Sequence, residues 1–214
     1  MSAYLPDASV MLAYTLASII LFITPGPDMS LFLARTLAGG RKAGVASLLG
    51  ASAGCVVHSV LVAVGISALL AASQTAFLIL KIVGAGYLLW LAVDAVRNGS
   101  ALSIQSVERQ EFPFWRTFMV GLGINLANPK VVLFFITFLP QFISASDPHA
   151  AGKLLFLGLY YMVLTLPLAV LMIFGAERLI GWLRTRPGIL RGIDWSFAGI
   201  FSYFALRIAL TEGR

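Results

Sequence analysis

Three stretches of this chain carry no Asp, Glu, Lys or Arg: Ala8 to Pro27, Ala43 to Leu80 and Leu154 to Ala176. A helical crossing of the hydrocarbon core takes roughly 20 predominantly apolar residues. The middle stretch, at 38 residues, therefore holds most of two crossings. Composition agrees, since 11% of the 214 residues are charged, against about 25% in soluble domains. The chain reads as an all-α integral membrane protein. A β-barrel does not fit, because the apolar runs are continuous and do not alternate over ten-residue strands.

The net charge of +6 does not indicate a nucleic-acid partner. The basic residues form no long solvated run with interleaved aromatics; they sit in short clusters between apolar segments, where positive charge orients membrane proteins. Six helices are expected, over about Ala8–Thr36, Gly44–Leu70, Ala76–Val96, Trp115–Leu139, Gly152–Ala176 and Gly192–Leu210. The first is interrupted at Pro25-Gly26-Pro27 and the fourth at Asn128-Pro129. Arg35, Arg41, Lys42, Arg97, Arg109, Arg116, Arg178, Arg184, Arg186 and Arg191 then fall on one side. Lys81, Lys153, Arg207 and Arg214 fall on the other, and Lys130 lies within a helix. The positive-inside rule makes the richer side cytoplasmic and puts both termini outside. The first Lys or Arg is Arg35, so the first apolar segment lacks the basic start of a cleaved signal peptide and reads as a retained helix. The first helix is the weak point of this count, since its failure to cross would leave five spans.

An internal repeat points to the architecture. Residues Pro27 to Phe32 align with Pro129 to Phe134, Leu49-Gly50 with Leu157-Gly158, and Ala85-Gly86 with Ala198-Gly199. Residues 1–96 and 115–214 thus read as two three-helix units joined by a cytoplasmic linker, 97–114, in one membrane domain. Three helices is an odd number, so the second unit enters the membrane inverted. Inverted repeats with paired broken helices mark the binding sites of secondary transporters. Pro25-Gly26-Pro27 opens its helix by removing donors and clashing with the preceding turn, and backbone freed in this way must line a cavity or be buried in protein. Asp28 stands just after that break and Lys130 just after Asn128-Pro129, with Asn125 close by. Charged residues inside a span are costly and usually functional, although a helix cap at Asp28 and a snorkelling Lys130 are the bland alternatives.

The stretches TPGPDM (Thr24–Met29), GRKAGVASLLG (Gly40–Gly50), LKIVGAGYLLWLAVDAVR (Leu80–Arg97) and NLANPK with LPQF (Asn125–Phe142) resemble the lysine-exporter superfamily, most closely its homoserine/threonine efflux branch. The resemblance covers nearly the whole chain. It implies export of amino acids or close derivatives, homoserine lactone among them, across the bacterial inner membrane, driven by the proton gradient and without a cofactor. A zwitterionic amino acid needs partners for both charges. Asp28 is expected to meet its ammonium or to carry the coupling proton. Lys130, Asn125, Asn128 and the half-helix amides would meet the carboxylate. A direct Asp28–Lys130 ion pair is the competing arrangement.

Rival classes fare worse. A dithiol carrier needs two thiols, and Cys55 is the single cysteine. His58 and His149 give no metal-ligand spacing, and no motif assembles a hydrolase's nucleophile and base. His58 is a candidate proton relay as well as a structural histidine. Gly50 and Gly54 pack helices within one bundle or mark a homodimer interface. A passive channel, or an exporter of another small zwitterion or cation, remains the main alternative.

Overall fold

The computed structural model describes residues 6–98, 111–144 and 147–211. Among them every regular element is a helix. Helix α1 (Ala8–Ile23) stops where Pro25 and Pro27 remove two backbone donors, and α2 (Pro27–Ala72) restarts with Pro27 in its first turn. Gly40 interrupts α2 with φ 76° and ψ 178°, dividing it into two helical segments. That conformation is open essentially to glycine alone. The sequence reading placed a loop between Thr36 and Gly44; the chain turns there within one residue.

Ser73 alone separates α2 from α3 (Gln74–Asn98), and its hydroxyl accepts the Ala76 amide at 3.1 Å. Helix α4 (Phe114–Ala127) and α5 (Pro129–Leu133) meet at Asn128, which is extended. A π-helical turn (Phe134–Phe138) and a 3₁₀ turn (Leu139–Phe142) continue α5, and this run is bent by 52° from α4. Helix α6 (Ala150–Phe174) runs unbroken through Pro167. A short amphipathic helix not expected from sequence, α7 (Ala176–Arg184), precedes α8 (Pro187–Thr211).

Glycines set how closely the helices approach. A Cβ on Gly50 would stand 2.0 Å from the Phe118 carbonyl oxygen, and one on Gly121 would stand 2.3 Å from that of Ser47. Backbone therefore meets backbone between α2 and α4, which is how small residues pack helices in lipid. Gly50 and Gly54 thus pack within the chain. Around α1, the buried rings of Tyr14, Phe134, Phe135, Phe138 and Phe201 form the main apolar cluster, and the Tyr14 hydroxyl donates to the Leu157 carbonyl at 2.9 Å. Helix α3 packs on α8, with Ala85 and Ala205 buried at the contact.

The outer surface is apolar. Val64, Val83 and Leu171 are each more than 60% exposed, as in a protein whose solvent there is lipid. Three described helices are long and apolar enough to cross a membrane, or four if the bent α4–α5 pair counts as one span; α1, at 16 residues, is shorter. The linker between Asn98 and Glu111 lies outside the described residues.

Candidate binding site at two helix breaks

The two interruptions come together in space. At the first, α1 ends with the Thr24 carbonyl unpaired by its own helix. The Lys130 ammonium, reaching from α5, donates to that oxygen at 2.5 Å. A cation at a helix C-terminus is favourably placed against the macrodipole. At the second, the Asn128 side chain accepts the Lys130 backbone amide at 3.1 Å and caps α5. Pro129 fills the first helical position of α5, as Pro27 does in α2. Both half-helices therefore begin with proline followed by a charged residue.

Asp28 lies in the first turn of α2, where a carboxylate suits the helix dipole. Its Oδ2 accepts the Asn125 side-chain amide at 2.8 Å, while its Oδ1 is buried without a hydrogen-bond partner. The Asn128 side chain and the Lys130 ammonium also act on this carboxylate. No hydrogen bond joins Asp28 to Lys130: the carboxylate is held by a neutral amide and the ammonium by a neutral carbonyl. An unpartnered buried carboxylate oxygen costs free energy unless something fills its place.

Asn125, 1% exposed, organises the centre. Its amide nitrogen also stands 3.7 Å from the Cys55 sulfur, and its backbone carbonyl faces His58 Nε2 at 3.4 Å. A Cβ on Gly54 would lie 2.3 Å from Asn125 Oδ1, so only glycine leaves that side chain its room. His58 stacks on Phe135 with ring centroids 5.5 Å apart and reaches Asp28 only by way of Asn125.

A cavity of about 70 Å³ occupies the junction. Thr24, Gly26, Asp28, Asn125, Asn128 and Lys130 line its polar part, and Leu21, Phe22, Phe32, Leu48 and Met162 its apolar part. Of the residues singled out in the sequence, Pro25, Pro27 and Pro129 shape the breaks without lining the cavity, and His58 stands outside it. Sequence reasoning missed three participants: the Thr24 carbonyl, Cys55 as a wall residue, and Asp194. Asp194 is 2% exposed on α8 and its charge acts on Lys130; Phe197, one turn on, lies under the Lys130 ammonium at 5.9 Å. A carboxylate within an apolar span was the signal available for Asp194. Among the described residues no cluster of metal-ligating side chains occurs.

The family model for LysE type translocators matches residues 19–212 of the chain. The chain belongs to that family. Its members are translocators, so this is a multi-pass membrane transport protein and not an enzyme. The chain is 31% identical to the homoserine/homoserine lactone efflux protein of Salmonella typhimurium over 88% of its own length and 90% of the relative's. It is 30% identical to an uncharacterized membrane protein of Vibrio cholerae over 96% and 99%. A leucine efflux protein of Salmonella choleraesuis is 24% identical over 93% and 94%. No solved structure matches it. In this LysE type translocator, the residues that break the helices and the residues that line the cavity lie in one assembly.

Proposed function

We propose that the chain exports an amino acid or a close derivative across the bacterial inner membrane by proton-coupled alternating access. The observation that carries this reading is the pair of opposite charges, Asp28 and Lys130, buried at one cavity and each held by a neutral group. A zwitterion offers an ammonium for the first and a carboxylate for the second, while the apolar wall accepts a small side chain. Efflux of homoserine, homoserine lactone and leucine by relatives supports the same class.

Six spans are proposed, with α1 and the first segment of α2 forming one broken crossing and α4 with α5 another. The matching Pro27-Asp28 and Pro129-Lys130 starts support an inverted repeat, in which the two halves exchange inward and outward shapes around one site. Both termini lie outside in this arrangement, and residues 97–114 lie in the cytoplasm.

Purified protein in vesicles, loaded with L-homoserine or L-leucine, tests this. Counterflow of labelled substrate, uphill movement driven by a pH gradient and its collapse with an uncoupler are expected. Asp28→Asn and Lys130→Met should each lose all three while inserting normally. A passive channel would show neither counterflow nor uphill movement, and wild-type transport by both variants would leave only the capping and snorkelling roles.

A further inference from the structure

We propose that the bend at Gly40 forms a binding site for one anionic phospholipid. Two cavities meet there. The first, about 510 Å³, is lined by Thr36, Gly40, Arg41, Gly175, Ala176 and Arg178. The second, about 550 Å³, is lined by Arg41, Lys42, Val45, Phe112, Phe114 and Phe174. Arg41 and Phe174 belong to both, and the Arg41 guanidinium lies 4.7 Å from the centre of the Phe174 ring. A cationic, polar recess therefore opens directly onto an apolar groove.

Charge sets the polarity of the ligand. Arg41, Lys42 and Arg178 are exposed, and Arg35 lies nearby over the Phe112 ring at 4.2 Å. Counted along the sequence, Glu111 and Glu177 flank these segments against Arg35, Arg41, Lys42 and Arg178, so the balance stays positive. Guanidinium groups present a fork of donors that matches phosphate oxygens, and basic pockets between helices on the cytoplasmic side suit anionic head groups. The neighbouring groove sets the rest. Phe174 and Phe114 are 55% and 45% exposed, and an acyl chain would cover them. A free phosphate would use the recess alone, whereas an anionic diacyl lipid uses both.

Glycine makes the recess possible. Nothing lies within 4 Å of the position a Gly40 Cβ would take, so the turn leaves open space beside Arg41. The tight passage from one segment of α2 to the next also places Arg41 at the head of its segment, facing the junction of α6 and α7.

The test measures lipid retention and thermal stability of the whole protein in phosphatidylcholine vesicles with and without phosphatidylglycerol, with glycerol 3-phosphate as a separate arm. Wild type should retain phosphatidylglycerol through native mass spectrometry and melt higher in its presence. Arg178→Gln should weaken that preference about fivefold, with Arg41→Gln alike and Arg116→Gln, on the same face but outside both cavities, unchanged. Equal melting of all variants in phosphatidylcholine alone separates lost binding from lost folding. The proposal is overturned if Arg41→Gln and Arg178→Gln keep the wild-type preference. It is equally overturned if glycerol 3-phosphate reproduces the whole shift, or if phosphatidylglycerol gives none.

Discussion

Asp28 and Lys130 illustrate how far a residue's role depends on what it touches. An ion pair would predict that swapping the charges preserves the attraction. Here the carboxylate rests on the Asn125 amide and the ammonium on the Thr24 carbonyl. In the double variant Asp28→Lys with Lys130→Asp, a carboxylate would face a carbonyl and an ammonium would face an amide donor. Transport by that variant is expected to stay at background, and recovery of much of the wild-type rate would restore the ion-pair reading. Gly54→Ala tests the other side of the site. Its methyl would meet Asn125 side-chain atoms at 2.3 to 2.9 Å. The helices must part or Asn125 must turn away from Asp28. Overpacking of this kind costs about 1–3 kcal/mol, to be read as a lower melting midpoint together with lost transport. Asp28, Lys130, Asn125 and Asn128 were legible in the sequence because charge and amide groups beside a broken apolar run have few bland explanations. Asp194 was not, because it lies well away from either break and only the packing of α8 brings it near Lys130.

Among the elements, the breaks and the turns separate what sequence reveals from what it hides. Both proline breaks stand where the donor-free residues require them. The turn at Gly40 is tighter than the loop its sequence suggests, because a glycine pair and two basic residues mark a boundary without fixing its geometry. Helix α7 escaped notice because nine residues with charged positions resemble a loop. The π turn after Leu133 has no local signature, and its phenylalanines pack against Tyr14 and Tyr161; the 3₁₀ turn that follows carries Pro140 near its start. Gly40→Ala isolates the turn. The new methyl meets no neighbour, so its cost is conformational, about 1–3 kcal/mol for a backbone region closed to other residues. A drop in thermal stability is expected, and an unchanged melting midpoint would mean that the turn relaxes freely. At the start of α6, Asp147 accepts from Lys153 Nζ at 2.5 Å and from the His149 amide at 2.9 Å. The hydrogen bond to Lys153 holds its carboxyl below the usual range, with the His149 amide adding to this and partial burial opposing it. The folded value is the lower one, so the pair's contribution is fully present above the ordinary carboxylate value near 4 and disappears as pH falls through the folded value. Asp147→Asn should flatten melting midpoints against pH below about 4 and leave the slope between pH 5 and 8 unchanged. A part-buried pair at the protein surface contributes little, on the order of 1 kcal/mol.

At the scale of the whole molecule, the cavity size sets a demand on the proposed transport cycle. About 70 Å³ accommodates a few water-sized groups, so under that proposal the cavity must widen to pass an amino acid. The alternating access proposed above requires the cavity to open first to one face and then to the other, and the chain carries a residue that would report such a motion. Cys55 is its single cysteine, buried at 8% exposure in the cavity wall beside Asn125. A membrane-impermeant maleimide can reach this thiol only while a path from its own side is open. In vesicles of known orientation, labelling should occur from either face, and more slowly than at an exposed engineered cysteine. Saturating L-homoserine or L-leucine, whichever the vesicle assay shows to be carried, should slow labelling from both faces, because it fills the cavity that Cys55 lines. The alternating model fails if labelling proceeds from one face only, and Cys55 is no part of the substrate cavity if substrate leaves both rates unchanged. Cys55→Ala, silent to the reagent and expected to transport, assigns the signal to that one thiol.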